Sequence, residues 1–395
     1  MGLLATLDLH KQVKSDEAAE AYPEVEYRLI TWGEIYPLFL GDREHSIAAR
    51  YILRDLPFKL FSVSSPYSRV PQSLALTFRA PYEVKKESDV TGVAGIFADE
   101  TAKEFAAFVS LITRRRVFAV RQTRYDGLPL EQDSELYQRA HYQEGQRLKE
   151  INPDEIYCLL WNLQAMQRSA ANAFVLAMRL YHSAVEMMYT EPEFSYLFLV
   201  MCLEAISSAV YKDYKPSNEG DRPTELEEFL DSRFPGLGKL IDPLPPEKRS
   251  RLVKVLLHEE RFIFRKMLKF IMDNVPEIFF AETEDDAKPD YLTSTVRLGP
   301  DGLGKEEISH SDITIRQSER IEKADLKRTL RNIYDARSRL IHEGIRLPES
   351  IVVGHFRSLP PGAAAEMAQL PLPLPPLITF ERLVSYSMVE FLRKL

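Results

Sequence analysis

Tyr334-Asp335-Ala336-Arg337-Ser338-Arg339-Leu340-Ile341-His342-Glu343-Gly344 closes the stretch that decides how the second half of this chain folds. From Asp325 onward the pattern is helical. Leu326, Leu330, Ile333, Arg337 and Leu340 approximate one face, with Tyr334 and Ile341 beside it. Gly344 fits the left-handed residue that ends a helix. Arg337 therefore stands where an apolar residue is expected, and a buried arginine needs a partner or a site. His342 follows five residues later, in the last turn. A permanently charged, planar phosphate binder beside a side chain that exchanges protons near neutral pH is a minimal set for cutting RNA without a metal.

Working outward, the chain from Asn152-Pro153 to Leu395 reads as helices joined by long connections. Asparagine before proline opens the first of them. Pro192 separates a helix ending near Tyr189 from one starting near Glu193. Leu252 to Val275 is again helical, and Thr379 to Leu395 forms a closing amphipathic helix. Proline-rich or polar connections fall near 215–250, 281–318 and 346–377. The most hydrophobic run, Phe194 to Val210, is barely long enough to cross a bilayer and is interrupted by Glu204, so it reads as a buried core helix.

The first 150 residues differ. Residues 1–24 are polar and acidic and read as loosely ordered. Phe58 to Val63 and Leu74 to Arg79 read as strands, the second with clear alternation. A helix capped by Asp99 carries Phe105, Phe108, Val109 and Ile112 at helical spacing, then runs into Arg114-Arg115-Arg116 and a strand at Val117 to Val120. The expected fold is thus α+β: a smaller mixed α/β region over 1–150, with a sensing, regulatory or RNA-contacting role, and an all-helical domain over 151–395.

Bulk properties constrain partners. The chain has 395 residues, is 45% hydrophobic and 28% charged, and carries a net charge of −8. An acidic protein that binds nucleic acid must do so through a local basic face. Lys323, Lys327, Arg328, Arg331, Arg339 and Arg346 outnumber the acids around the motif and supply one. Arg114, Arg115 and Arg116 form a second candidate groove, although a charge run at a helix end is commonly just solvated. Two cysteines in apolar runs, Cys158 and Cys202, read as core thiols of a reducing compartment. With no basic-then-apolar leader and no clear membrane span, the expected location is the cytoplasm.

Other motifs carry less chemistry. Gly299-Pro300-Asp301-Gly302-Leu303-Gly304-Lys305 resembles the start of a phosphate loop, but Glu306 replaces the hydroxyl residue that holds magnesium, and no apolar helix follows. His182 and Glu186 share a helix face without a second ligand pair, so no metal site and no cofactor is expected. No nucleophile elbow is present. Glu204 reads equally as the buried partner of Arg337 or as a snorkelling surface acid.

Three blocks in order resemble the HEPN superfamily, in particular its Apea-like branch. These are Arg179-Leu180-Tyr181-His182, then Leu199-Val200-Met201-Cys202-Leu203-Glu204-Ala205-Ile206 after the break at Pro192, then Ile333 to Gly344. The likeness covers about residues 155–395 and extends less specifically to Phe105–Arg116. It implies a helical bundle that dimerises and brings two R-x4-H motifs into one cleft. It also implies a metal-independent endoribonuclease of a toxin, antiphage or RNA-processing system. Carried over by position, Arg337 and His342 are the catalytic pair; Ser338, beside the arginine, and Glu204, from its place in an apolar helix, are supporting candidates. Many relatives have Asn, Asp or His after the arginine, where this chain has Ser338. Relatives modified by AMPylation carry a tyrosine where this chain has Gly344, so that modification is not expected here. The implied partners are RNA, a second copy of the chain and a regulatory protein or trigger. The motif helix and the last helix, with Phe380, Leu383, Val384, Met388, Phe391 and Leu392, are expected to supply much of the apolar dimer contact, with some of those residues packing within the subunit instead. The alternative is a catalytically silent HEPN scaffold that dimerises and binds a protein or nucleic-acid partner.

Overall fold

Alternation along residues 73–79 turns Leu76 and Phe78 to one side of a strand, and the neighbouring strand turns Tyr27 and Leu29 the same way. All four are buried. The computed structural model describes residues 2–12, 24–30, 50–52, 57–63, 73–79, 93–114, 116–121, 153–188, 190–214, 245, 247–248, 263–281, 292–298, 304–310, 321–347, 351 and 374–395. The strands of this sheet are β1 (Glu24–Ile30), β2 (Arg50–Ile52), β3 (Lys59–Val63), β4 (Ser73–Arg79) and β5 (Phe118–Arg121). They pair antiparallel in the order β2-β3-β4-β1-β5, with Tyr27 opposite Leu76 and Val25 opposite Phe78.

The buried face of this sheet meets a long helix, α2 (Val93–Thr113). Phe58 lies 4.8 Å from the Phe105 ring, and Tyr27 stacks on Phe78 at 5.8 Å while its hydroxyl donates to Asp99. Asp99 is thus inside the helix and serves the sheet contact. The cap expected of it is not made, because the helix begins earlier, at Val93.

The N-terminal stretch expected to be loose contains a helix, α1 (Gly2–Gln12). Leu3, Leu4 and Leu7 are buried against α2 and the first helix after residue 150. The Leu3 N–H donates to the Glu104 carboxylate at 2.8 Å, and Gln164 donates to the Leu7 carbonyl at 2.7 Å. Burial pushes Glu104 above the usual carboxylate range, opposed by that N–H and by Arg179. At Gly2 a Cβ would stand 2.4 Å from the Thr101 hydroxyl, so α1 and α2 approach this closely only with glycine there.

The rest is mostly helical. The helices are α3 (Pro153–Ala165), α4 (Arg168–Met187), α5 (Pro192–Val210), α6 (residues 263–274), α7 (Glu277–Ala281), α8 (Leu326–Glu343) and α9 (Leu377–Arg393). α4 and α5 form a tight hairpin, joined where Pro192 starts α5, with Ser195 donating to the Ala184 carbonyl at 2.7 Å. α9 runs through the middle, against α2, α3, α5 and α7, and most of its residues are buried. One continuous apolar core therefore spans both sides of residue 150: Phe105 and Phe108 of α2 belong to the same cluster as Phe174, Tyr196 and Phe380. The expected boundary near 150 does not separate two cores among the described residues.

The segment expected to be an irregular insertion, 281–318, holds a hairpin: β6 (Leu292–Leu298) pairs antiparallel with β7 (Gly304–His310). Gly304 and Lys305 of the loop-like motif thus begin a strand, where a phosphate loop would lead into a helix. The connections near 215–250 and 346–377 lie almost wholly outside the described residues.

Candidate active site

α8 ends as its sequence requires. Gly344 adopts φ 65°, and the N–H groups of Gly344 and Ile345 both return to the Arg339 carbonyl, the bonding of a left-handed helix cap. The final turn projects beyond the core. Ile341, His342, Glu343, Gly344, Ile345 and Arg346 are all exposed. A second tie holds this end in place: the Leu347 N–H donates to Glu193 Oε1 at 3.0 Å, at the start of α5.

Arg337 lies more than a turn back and is mostly covered. Its Nη2 donates to Glu204 Oε2 at 3.1 Å, with the two side chains 21% and 16% exposed. Of the two readings of Glu204, the ion-pair partner of Arg337 is the one the subunit adopts. The guanidinium carbon also sits 5.9 Å from the Tyr334 ring, which itself packs on Phe264. Arg337 Nε and Glu204 Oε1 are both buried without a hydrogen-bond partner. Burial pushes Glu204 above the usual carboxylate range, and the Arg337 charge and hydrogen bond pull it back. The carboxylate takes a single N–H of a fork that carries five.

At about 100° per residue, positions five apart on a helix lie about 140° apart around its axis. Arg337 therefore points toward α5, while His342 lies on a different side of α8. That side also carries Lys327, Arg331 and Arg339, all exposed. Arg328 lies there too, paired with Asp325 at 2.9 Å in an exposed contact of little energetic weight. Asp335 interrupts the same side. The basic stripe expected around the motif is thus present on the His342 side, and Lys323 is drawn off to Glu277. Ser338, expected to support the pair, is 7% exposed and packs inward, so it presents no hydroxyl to a ligand at the surface.

The second basic candidate is corrected. Arg114 follows α2 with φ 57° and is buried. Its Nε and Nη2 donate to Glu381 Oε2 at 3.1 and 2.6 Å, and Tyr181 donates to Glu381 Oε1. Burial, then the adjacent Glu381 carboxylate, push the Tyr181 phenol well up, so it remains a donor. Arg116 is 14% exposed, sits 4.5 Å over the Phe118 ring and lies 3.7 Å from Glu186. Both arginines tie elements of the fold to one another, and a groove for RNA is not formed from them. Arg115 lies outside the described residues. His182 Nε2 bonds to the Val117 carbonyl at 2.7 Å, and burial holds the imidazole below the usual histidine range. Among the described residues no group of three His, Cys, Asp or Glu side chains could hold a metal ion.

Sequence reasoning missed Glu381 and Glu193. Glu381 had a signal, an acid within the apolar arc of an amphipathic helix, akin to the one that singled out Glu204. No family model, curated protein or solved structure matches the chain.

Proposed function

We propose that this chain is a HEPN-type endoribonuclease that cuts RNA without a metal ion, acting in a toxin or antiphage system of the cytoplasm. The reading draws on the order of the sequence blocks. The observation that carries it is the exposed end of α8, which presents His342 beside a basic stripe.

In this mechanism Arg337 grips the scissile phosphate and stabilises the charge that builds on it. The ribose 2′-oxygen attacks phosphorus and the bond to the 5′-oxygen breaks. One His342 takes the 2′-hydroxyl proton and a second, from another copy, protonates the departing 5′-oxygen. The products are a 2′,3′-cyclic phosphate and a 5′-hydroxyl. Glu204 is a positioning residue: it fixes the guanidinium and leaves most of its donors for phosphate.

A second reading is a silent HEPN scaffold. It is favoured by the Arg337–Glu204 ion pair and by the wide angle between Arg337 and His342 on α8. The two readings part on one assay. Total RNA incubated with the purified protein in excess EDTA is expected to be cut, leaving cyclic phosphate ends. Intact RNA under all conditions, or cutting that EDTA abolishes, would sink the proposed mechanism.

A further inference from the structure

The turn that carries His342 has little packing of its own. Residues 341–346 are all exposed, and a Cβ added at Gly344 would meet nothing within 4 Å. Gly344 is therefore needed for its φ of 65°, not for space. The contacts that fix this turn lie on either side of it. Before it, Arg337 donates to Glu204 Oε2 at 3.1 Å. After it, the buried Leu347 donates its N–H to Glu193 Oε1 at 3.0 Å. Both acceptors are carboxylates of α5, about 16 Å apart along that helix at its usual rise. Pro348 follows Leu347 and has no N–H to take over the second contact.

We infer that Glu193 is a positioning residue for His342. Its carboxylate, through the Leu347 N–H, holds the end of α8 against α5 and so sets where the imidazole stands. The inference deepens the ribonuclease reading and rests on it for the effect on RNA cutting. Glu204 grips α8 more than a turn before His342, and an exposed last turn frays unless the chain beyond it is tied down. Proton transfer needs the imidazole within hydrogen-bond reach of a ribose oxygen, where a displacement of about 1 Å costs up to about 10²-fold. Glu193 has another possible role, since a carboxylate in the first turn of α5 favours the helix dipole. Glutamine separates the two: it keeps an oxygen that accepts from Leu347 and removes the charge.

Wild type, Glu193→Ala and Glu193→Gln test this together. In proton NMR the His342 ring resonance, assigned by its loss in His342→Ala, is expected to shift and broaden in Glu193→Ala and to keep its wild-type position in Glu193→Gln. On RNA, kcat is expected to fall about 10–10²-fold in Glu193→Ala, with KM within about twofold of wild type, and to recover in Glu193→Gln. An unmoved resonance in Glu193→Ala overturns the inference. So does a Glu193→Gln protein that behaves like Glu193→Ala, since the charge at α5 is then the whole of its role. A loss confined to KM overturns it as well. Resonances in the expected order, in a protein that never cuts RNA, keep the Glu193 anchor and sink the ribonuclease reading.

Discussion

Arg337→Lys and His342→Ala are each expected to lower RNA cleavage about 10²–10⁴-fold, the usual effect of removing a charge-stabilising or proton-transfer group. Lysine keeps the charge facing Glu204 but loses the planar fork, so the loss reports on phosphate binding with the ion pair retained. Arg337→Ala should be at least as inactive, but it leaves the mostly buried Glu204 without its partner and so confounds stability with activity. His342 is exposed at the helix end, so its removal should leave the unfolding midpoint unchanged. Rates matching wild type in both variants would remove the two residues from the mechanism.

The largest stability effect is expected at Glu381. Its carboxylate is fully buried, accepts from Arg114 and Tyr181, and joins α9 to the end of α2 and to α4. Glu381→Ala removes the buried carboxylate that Arg114 and Tyr181 share and should cost about 3–5 kcal/mol. The paired change Arg114→Met with Glu381→Leu should recover most of that, because an apolar pair avoids the desolvation that the ions carry. Urea unfolding measures both. A Glu381→Ala protein as stable as wild type would mean that Arg114 finds another acceptor.

The legible parts of the fold were those where periodicity and end signals agree. α8 shows both an apolar stripe and its Gly344 cap, and α5 announces itself with Pro192. α1 was missed because its four leucines are diluted by polar neighbours, although three of them, Leu3, Leu4 and Leu7, have helical spacing. The β6–β7 hairpin was missed because Thr293, Ser294 and Thr295 give no apolar alternation. At the site, the Glu204–Arg337 pair was one of two readings, since an acid in an apolar helix signals a partner without naming it. Which apolar faces the chain covers itself was not legible. α5 is the more apolar of the two in sequence and α9 is amphipathic, yet α9 is enclosed and α5 is left half-open.

In the proposed mechanism the ribose 2′-hydroxyl is the nucleophile at a site built from Arg337 and His342. The most direct test is an RNA oligonucleotide carrying a mapped cleavage position, compared with the same strand bearing 2′-deoxyribose at that nucleotide alone. The substituted strand is expected to resist cutting there while the parent yields a cyclic phosphate and a 5′-hydroxyl. Cutting of the substituted strand at an unchanged rate would contradict it.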